Sequence, residues 1–434
     1  MLILCTGMLR SASTWSYNVC RLLLEAQDME FKGGFVGEGQ EVDDFIEQYG
    51  LDHQHLLLKS HKPGPKSIQY ITDGKAYSIY TYRDPRDSLC SGMQFSGVDF
   101  SSLLIDGVRN LHALNFYQDK SLFVRFDHVK IHPIQEIERI SRYLGFAFES
   151  SVYEKIAAAT SLERSKKVIL DLKSSQRDEV FQVGTHTIDR KTLLHSNHIG
   201  SAKIGRWQDD LNLEQKLLVN AVFKRWLVDL EFEQYESINR FIQTVLEMVN
   251  WEEPAQKYLH NRQYLISGKL CESVVQSLPN DNPGYWYLGL SLFLAGNEER
   301  AKAIWMERLS EISMLDVADA LDQLIEILLD EATYWEEQSS IQTAYKLRIC
   351  VEEINPAHLS NKLNVIQLAL HLNTFELSDL QELNILEYLD NIFEDPFLRQ
   401  RLTDLQECLS EKFPDNTIVS KFIDSVTLAI TEKT

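Results

Sequence analysis

Leu2-Ile3-Leu4-Cys5-Thr6-Gly7-Met8-Leu9-Arg10-Ser11-Ala12-Ser13-Thr14-Trp15 opens the chain, and its pattern fixes the first structural unit. Leu2 to Cys5 read as a short buried strand, Gly7 to Ser13 as a loop of small and polar residues, and Trp15–Ala26 as a helix with a Leu-rich face. A strand passing through such a loop into a helix is the first unit of many α/β folds. Gly7 to Thr14 also lie on the phosphate-loop frame G-x-x-x-x-G-K-[ST], with Ala12 at the second Gly, Ser13 at the Lys and Thr14 keeping the hydroxyl. A loop of this kind aims successive backbone N–H groups at a phosphate, and the helix behind it adds its positive end. Without the Lys that reaches the outer phosphates, a nucleoside triphosphate is disfavoured while a phosphate ligand is not. Arg10 supplies positive charge in planar, bidentate form. The competing interpretation of this stretch alone is a structural strand–turn–helix with no ligand.

Outward from the loop, strands are expected at His55–Lys59, Tyr77–Tyr82 and Leu122–Arg125. Helices are expected at Val42–Tyr49, Pro85–Phe95, Ser101–Tyr117 and Pro133–Leu144, with Pro133 suited to a helix start. Alternating strands and helices predict an α/β fold, a three-layer, mostly parallel sheet covered on both faces. Ser161–Ser201 is polar and weakly periodic, which predicts an irregular excursion or lid over a site. Leu211–Leu230 and most of Glu231–Glu253 read as helix, placing a first domain at residues 1–245 and a second at 251–434.

The second domain is almost wholly helical in pattern. Tyr285-Trp286-Tyr287-Leu288-Gly289, then Gly296-Asn297, Ala301 and Trp305 resemble one tetratricopeptide unit, with large residues filling the wedge between two helices and small ones at their crossing. Arg308 and Ser313 stand where the repeat's later Ala and Pro would be, so helical hairpins of tetratricopeptide-like type are expected. Asn282-Pro283-Gly284 is expected to break the chain ahead of this unit, and Asn355-Pro356 opens a similar stretch further on.

The chain has 434 residues, 44% hydrophobic and 25% charged, an ordinary globular composition for two or three domains. Its net charge of −21 is uneven: from Trp251 onward, 31 acidic residues face 14 basic ones. An acidic half repels nucleic-acid phosphates, so no nucleic-acid partner is expected, and solubility is a sufficient reason for the acidity. Six scattered cysteines form no C-x-x-C pair and fit small core residues in a reducing compartment. Met1–Gly7 lacks a basic n-region and a cleavage site, and no run approaches the ~20 apolar residues of a membrane span. A cytoplasmic protein without a membrane span is expected.

Four short motifs in order then resemble the sulfotransferases that use 3′-phosphoadenosine 5′-phosphosulfate (PAPS). Leu9-Arg10-Ser11-Ala12-Ser13-Thr14-Trp15 is similar to the family's P-[KR]-S-G-[ST]-T-W. The resemblance implies that Arg10, Ser11, Ala12, Ser13 and Thr14 clasp the 5′-phosphosulfate and that Trp15 lies beside the adenine. Arg83-Asp84-Pro85-Arg86-Asp87-Ser88-Leu89-Cys90-Ser91 is similar to R-[ND]-P-[KR]-D-x-x-x-S, which gives Arg83 and Ser91 the 3′-phosphate. A guanidinium fork with a hydroxyl after a strand suits a phosphate dianion. Lys59-Ser60-His61 resembles K-[ST]-H, which implies His61 as general base with Lys59 beside it. Lys203-Ile204-Gly205-Arg206-Trp207 resembles K-[VI]-G-R-W, which implies that Lys203, Gly205 and Arg206 close over the 3′-phosphate. Phe126 of Arg125-Phe126-Asp127 stands where the family carries a Tyr. The resemblance covers about Met1 to Glu231.

It implies PAPS as co-substrate, in-line sulfuryl transfer to a hydroxyl or amine acceptor, and no metal, since the donor has no triphosphate to neutralise. His61, Lys59 and Arg10 are the implied catalytic residues. The alternatives are a P-loop small-molecule kinase, which needs the loop Lys and a Walker B acid for which Asp84 is the candidate, and a non-catalytic nucleotide-binding scaffold. The acceptor could be a small molecule, sugar, lipid or peptide. A protein partner or dimer through the helical domain is open, as is a purely stabilising role for that domain.

Overall fold

Strands β1 (Leu2–Gly7), β2 (Phe31–Phe35), β3 (Glu38–Gly39), β4 (His55–Lys59), β5 (Lys62–Pro63), β6 (Ala76–Tyr82), β7 (Leu122–Arg125), β8 (Val180–Val183) and β9 (His186–Asp189) organise the first half of the chain. In this computed structural model every residue is described except 51–54, 173–179, 184–185, 196–201, 377–379, 381–395 and 434. Five strands make one sheet in the order β2-β4-β1-β6-β7. Every pairing in it is parallel.

The inner strands β1, β4 and β6 are largely buried on both sides, so they read as apolar runs and not as alternations. The pleat nonetheless divides them. Ile3, Cys5, Leu57, Ile79 and Val124 share a core with Tyr17, Cys20 and Leu23 of the first helix and with Ile137 and Ile140 of the helix Pro133–Tyr143. On the other face Tyr80 meets Tyr117 of the helix Phe100–Tyr117 with ring centroids 4.7 Å apart, and the ring of Phe223 packs over Gly107. Helices therefore cover both faces, and the three-layer parallel α/β fold expected from the sequence is present. The strand order reverses at β1, between β4 and β6. Ligands of open α/β sheets bind at such a switch point, beyond the carboxyl ends of the strands.

Two features differ from expectation. The edge strand β2 hides in Phe31-Lys32-Gly33-Gly34-Phe35, whose paired glycines mask a strand pattern. Gly33 is needed there because a Cβ would stand 2.1 Å from the Leu57 carbonyl oxygen. Ser161–Ser201 is not irregular throughout: Leu162–Leu172 is a helix that buries Ile169 and Leu172, and β8 and β9 form an antiparallel hairpin. The rest of that segment lies partly outside the described residues.

The chain divides into two units, Met1–Trp251 and Glu252–Thr434. The described residues of the second are mostly helical, with helices including Asn282–Leu294, Glu298–Glu311, Val317–Glu337 and Ile341–Ile354. Asn282-Pro283-Gly284 begins a helix, with the Asp281 side chain accepting from the Gly284 N–H at 2.9 Å. Gly289 and Trp305 form a small-against-large crossing: a Cβ on Gly289 would meet the indole at 2.0 Å, and Trp305 Nε1 donates to the Trp286 carbonyl at 3.1 Å. Ala301 is fully buried in the same hairpin.

Gly7 sits at φ +145° in register with Thr81, and a Cβ there would lie 2.3 Å from the Thr81 carbonyl oxygen. Gly7→Ala combines backbone strain with overpacking, so a loss of about 2–4 kcal/mol is expected. The check is the first unit's urea midpoint in the full chain. An unchanged midpoint would mean that close approach to β6 does not hold β1 in place.

Candidate functional site

The loop after β1 is seated on β6. The Met8 N–H donates to the Thr81 carbonyl at 2.9 Å, and Ser11 Oγ reaches the same carbonyl at 2.9 Å, Thr81 Oγ1 at 2.8 Å and the Met8 carbonyl at 2.5 Å. To make this turn, Arg10 and Ala12 both take positive φ, 61° and 78°. Ala12 is the N-cap of the helix Ser13–Ala26, and no side chain caps that end. The first N–H groups of a helix have no partner within it. Here they open, with Ser13 and Thr14, into a cavity of about 800 Å³.

That cavity collects residues from the carboxyl ends of all the central strands. Arg10 to Trp15 follow β1, Lys59 and His61 lie at the end of β4, Arg83 and Ser91 follow β6, and Phe126 follows β7. Its wall continues through Phe95, through Ala157 to Val168, and through Ile188 and Thr192 to His195. The last of these is tied to the first helix: Asn18 Nδ2 donates to the Thr192 carbonyl at 2.7 Å, and Asp189 holds Thr192 through its N–H and hydroxyl.

The cavity's charge is predominantly positive. Arg10 donates from Nε to Ser91 Oγ at 3.2 Å and stacks over Phe95 at 4.5 Å. Burial, followed by Arg83 and Arg206, pushes its guanidinium down to about 10. Arg83, 3% exposed, lies over the Phe126 ring at 4.2 Å and donates from Nη2 to the Lys203 carbonyl at 2.7 Å. Its pKa is also lowered, first by burial, with Asp87 opposing and Arg206 adding to the effect. Arg83 Nε is buried with no hydrogen-bond partner. A buried donor left unmade costs about 1–3 kcal/mol, more for a charged group, which an anion in the cavity would recover.

His61 accepts and donates in a defined sense. Its Nδ1 lies 3.0 Å from the Gly7 carbonyl, which can only accept, so the proton is on Nδ1 and Nε2 carries the lone pair. Lys59 Nζ stands 3.4 Å from that Nε2 and 4.8 Å from the centre of the Phe35 ring. Burial, partly opposed by Cys5 and reinforced by Arg10, lowers the Lys59 ammonium to about 8.

The second signature is largely structural. Asp84 caps the helix Pro85–Ser96 and is gripped by Arg86 through Nε and Nη2. Arg86, 2% exposed, also donates to Asn220 and Glu233 and lies over the Trp207 ring at 4.0 Å. Asp87 takes N–H donors from Gly205 at 2.8 Å and Trp207 at 3.1 Å. Burial raises its carboxyl above the ordinary range against the pull of Arg83. None of these roles follows from the spacing of the motif, although the D-P pair is a helix-start signal.

Of the residues singled out in the sequence, Arg10 to Trp15, Lys59, His61, Arg83 and Ser91 share one cavity. Among the described residues, Lys203, Gly205 and Arg206 are not part of its wall. The Lys203 ammonium pairs with Asp209, and Arg206 is held by Asp210 and by Gln94 at 3.1 Å. Also among the described residues, no group of three His, Cys, Asp or Glu could hold a metal ion, and no helix is long and apolar enough to cross a membrane.

A switch-point cavity with an uncapped helix start, paired arginines and a histidine of fixed tautomer defines an α/β protein whose site is suited to an anionic ligand beside a proton acceptor. The profile of the Sulfotransferase domain matches residues 3–231, and the chain belongs to that family. Among curated relatives, cytosolic sulfotransferase 16 of Arabidopsis thaliana is 20% identical over 215 residues, 43% of this chain and 61% of that protein. Cytosolic sulfotransferase 17 of the same plant is 19% identical over 40% of this chain and 56% of its own length. The chain thus spans about three-fifths of the length of these relatives. Among solved structures, mouse sulfotransferase SULT7A1 complexed with PAP aligns over 52% of this chain and 83% of its own, at 14% identity and a TM-score of 0.37.

The lowered Lys59 ammonium predicts a reactivity profile. Competitive acetylation followed by mass spectrometry should show Lys59 titrating near pH 8, while exposed lysines titrate more than a unit higher. Below that pH the folded state must hold a buried charge, so Lys59 weakens the fold there and this cost fades as pH rises from about 8 toward 10.5.

Proposed function

We propose that the chain transfers the sulfuryl group of PAPS to a hydroxyl or amine acceptor and releases 3′-phosphoadenosine 5′-phosphate. The observation that carries this reading is the pairing, in one cavity, of the uncapped helix start at Ser13–Trp15 with the buried, half-satisfied guanidinium of Arg83. A donor phosphorylated at both 5′ and 3′ positions uses both. Membership of the sulfotransferase family supports sulfuryl transfer over other phosphate chemistry.

The 5′-phosphosulfate lies on the loop, against the N–H groups and hydroxyls of Ser13 and Thr14, with Ser11 and Ala12 shaping the turn and Trp15 beside the base. Arg83 and Ser91 hold the 3′-phosphate, and Arg10, bound to Ser91, adds its charge between the two ends. In the transfer, the acceptor oxygen or nitrogen forms a bond to sulfur as the bond from sulfur to the 5′-phosphate oxygen breaks. The acceptor proton passes to His61 Nε2, and the electron pair leaves with the phosphate. Lys59, which rests on Nε2, is displaced by the acceptor toward the sulfuryl oxygens.

A kinase is less well supported, because Ser13 replaces the loop Lys and the Asp84 carboxylate is occupied by Arg86. Residues 1–245 are assigned to the sulfotransferase domain and 251–434 to a tetratricopeptide-like domain, through which a protein partner or second copy would attach. Buried free cysteines and the cytosolic relatives accord with a cytoplasmic location.

Incubation with labelled PAPS and an acceptor library should give a sulfated product. His61→Ala should reduce transfer by about 10²–10⁴-fold with donor binding retained, as for loss of a general base. Arg83→Ala should weaken binding of 3′-phosphoadenosine 5′-phosphate in calorimetry. Transfer surviving both substitutions would refute these roles, and no binding of that nucleotide by the wild type would refute the donor site.

A further inference from the structure

Asp87 is 1% exposed in its side chain and lies in the first turn of the helix Pro85–Ser96, an end whose dipole favours negative charge. Its Oδ1 accepts from the Trp207 N–H at 3.1 Å, and its Oδ2 accepts from the Gly205 N–H at 2.8 Å and from Arg83 Nη2 at 3.5 Å. Gly205 sits at φ +72°, which turns two nearby N–H groups onto one carboxylate in the manner of an anion nest. The anion in that nest is therefore already part of the protein.

Two further bonds fasten the same segment. Arg83 Nη2 donates to the Lys203 carbonyl at 2.7 Å, and Lys130 Nζ donates to the Ala202 carbonyl at 2.9 Å. Residues 202–207 thus form a strap across Arg83, fastened by Asp87 at Gly205 and Trp207. The strap's cations are engaged elsewhere, Lys203 by Asp209 and Arg206 by Asp210 and Gln94. Asp87 and the strap between them occupy Nη2 of Arg83, while Nε of the same guanidinium remains buried without a partner.

We infer that Asp87 is a positioning residue for the donor's 3′-phosphate: it anchors the 202–207 strap and orients Arg83. A carboxylate adjoining the guanidinium fixes its plane, and a phosphate dianion then takes the unoccupied edge in a charge-assisted bond. The inference rests on the donor site proposed above. It distinguishes that site's cation, Arg83, from the group that aims it.

The experiment is a comparison of two probes on the full chain by calorimetry. Adenosine 5′-phosphate lacks the 3′-phosphate, and 3′-phosphoadenosine 5′-phosphate carries it. Asp87→Asn keeps the side-chain shape but points an amide N–H₂ at donors. It should lower affinity for the 3′-phosphorylated probe at least tenfold and leave that for adenosine 5′-phosphate within about threefold. In turnover, the donor KM should rise while kcat at saturating donor stays within a few-fold. Equal weakening of both probes, or undiminished preference for the 3′-phosphorylated one, overturns the inference. If Asp87→Asn does not fold, Asp87→Ser supplies the same comparison. Wild-type protein that shows no preference between the probes overturns the donor site itself, before any variant is made.

Discussion

Everything at the site is built outward from the Thr81 carbonyl. It accepts from the Met8 N–H and from the Ser11 hydroxyl, and it lies where any side chain on Gly7 would be. This contact forces the chain leaving β1 to turn sharply, placing Arg10 and Ala12 in the left-handed region. Each of these non-glycine residues is strained there, a cost that the hydrogen bonds to β6 offset. The result is a helix that begins at Ser13 with its N–H groups facing the cavity. A glycine at the Ala12 position would relax the backbone, but the seat on Thr81 fixes the turn without it.

Once the loop is seated, the surrounding charge has one consistent meaning. Burial with neighbouring arginines lowers the Arg10 and Arg83 guanidinium pKa values, and Lys59 is buried enough to titrate near 8. Like charges brought together in a partly desolvated place are unfavourable unless an anion joins them. The carboxylates in the neighbourhood do not serve that purpose in the cavity. Asp84 is taken by Arg86, Asp87 by the 202–207 strap and Arg83, and Asp210 by Arg206. Positive charge is left on the cavity side, where a doubly phosphorylated donor would neutralise it.

The sequence made the central strands and the loop legible because their signals are local. His55–Lys59 and Leu122–Arg125 coincide with β4 and β7, and the small residues from Gly7 to Ser13 mark the turn. β2 was not legible, since the glycines of Phe31–Phe35 answer to a long-range contact with Leu57 that no window of sequence contains. The helix Leu162–Leu172 was lost for a similar reason: only Ile169 and Leu172 of its residues are buried, so its periodicity is faint. At the site, Arg10, His61 and Arg83 could be found from motif and order. The work of Asp87 and Arg86 could not, because their partners, at Gly205, Trp207, Asn220 and Glu233, lie more than a hundred residues away.

The second signature shows why a motif should be read residue by residue. In Arg83-Asp84-Pro85-Arg86-Asp87, Asp84 caps a helix, Pro85 starts it, and Arg86 ties it to Asn220 and Glu233. Only Arg83, with Ser91 further along, faces the cavity. A string that looks like a binding motif is thus mostly a device for holding one guanidinium still, and this is what a preorganised anion site requires, since a cation free to reorient contributes less when the ligand arrives. The rest of the wall is different in kind. Phe35, Phe95, Ile188 and Leu193 to His195 come from an edge strand, a helix and a hairpin turn with no shared pattern. The polar lining of the cavity is therefore concentrated in short motifs at strand ends. The rest of the lining is dispersed over surfaces that pack around the sheet, where a side chain can change without disturbing the phosphate loop.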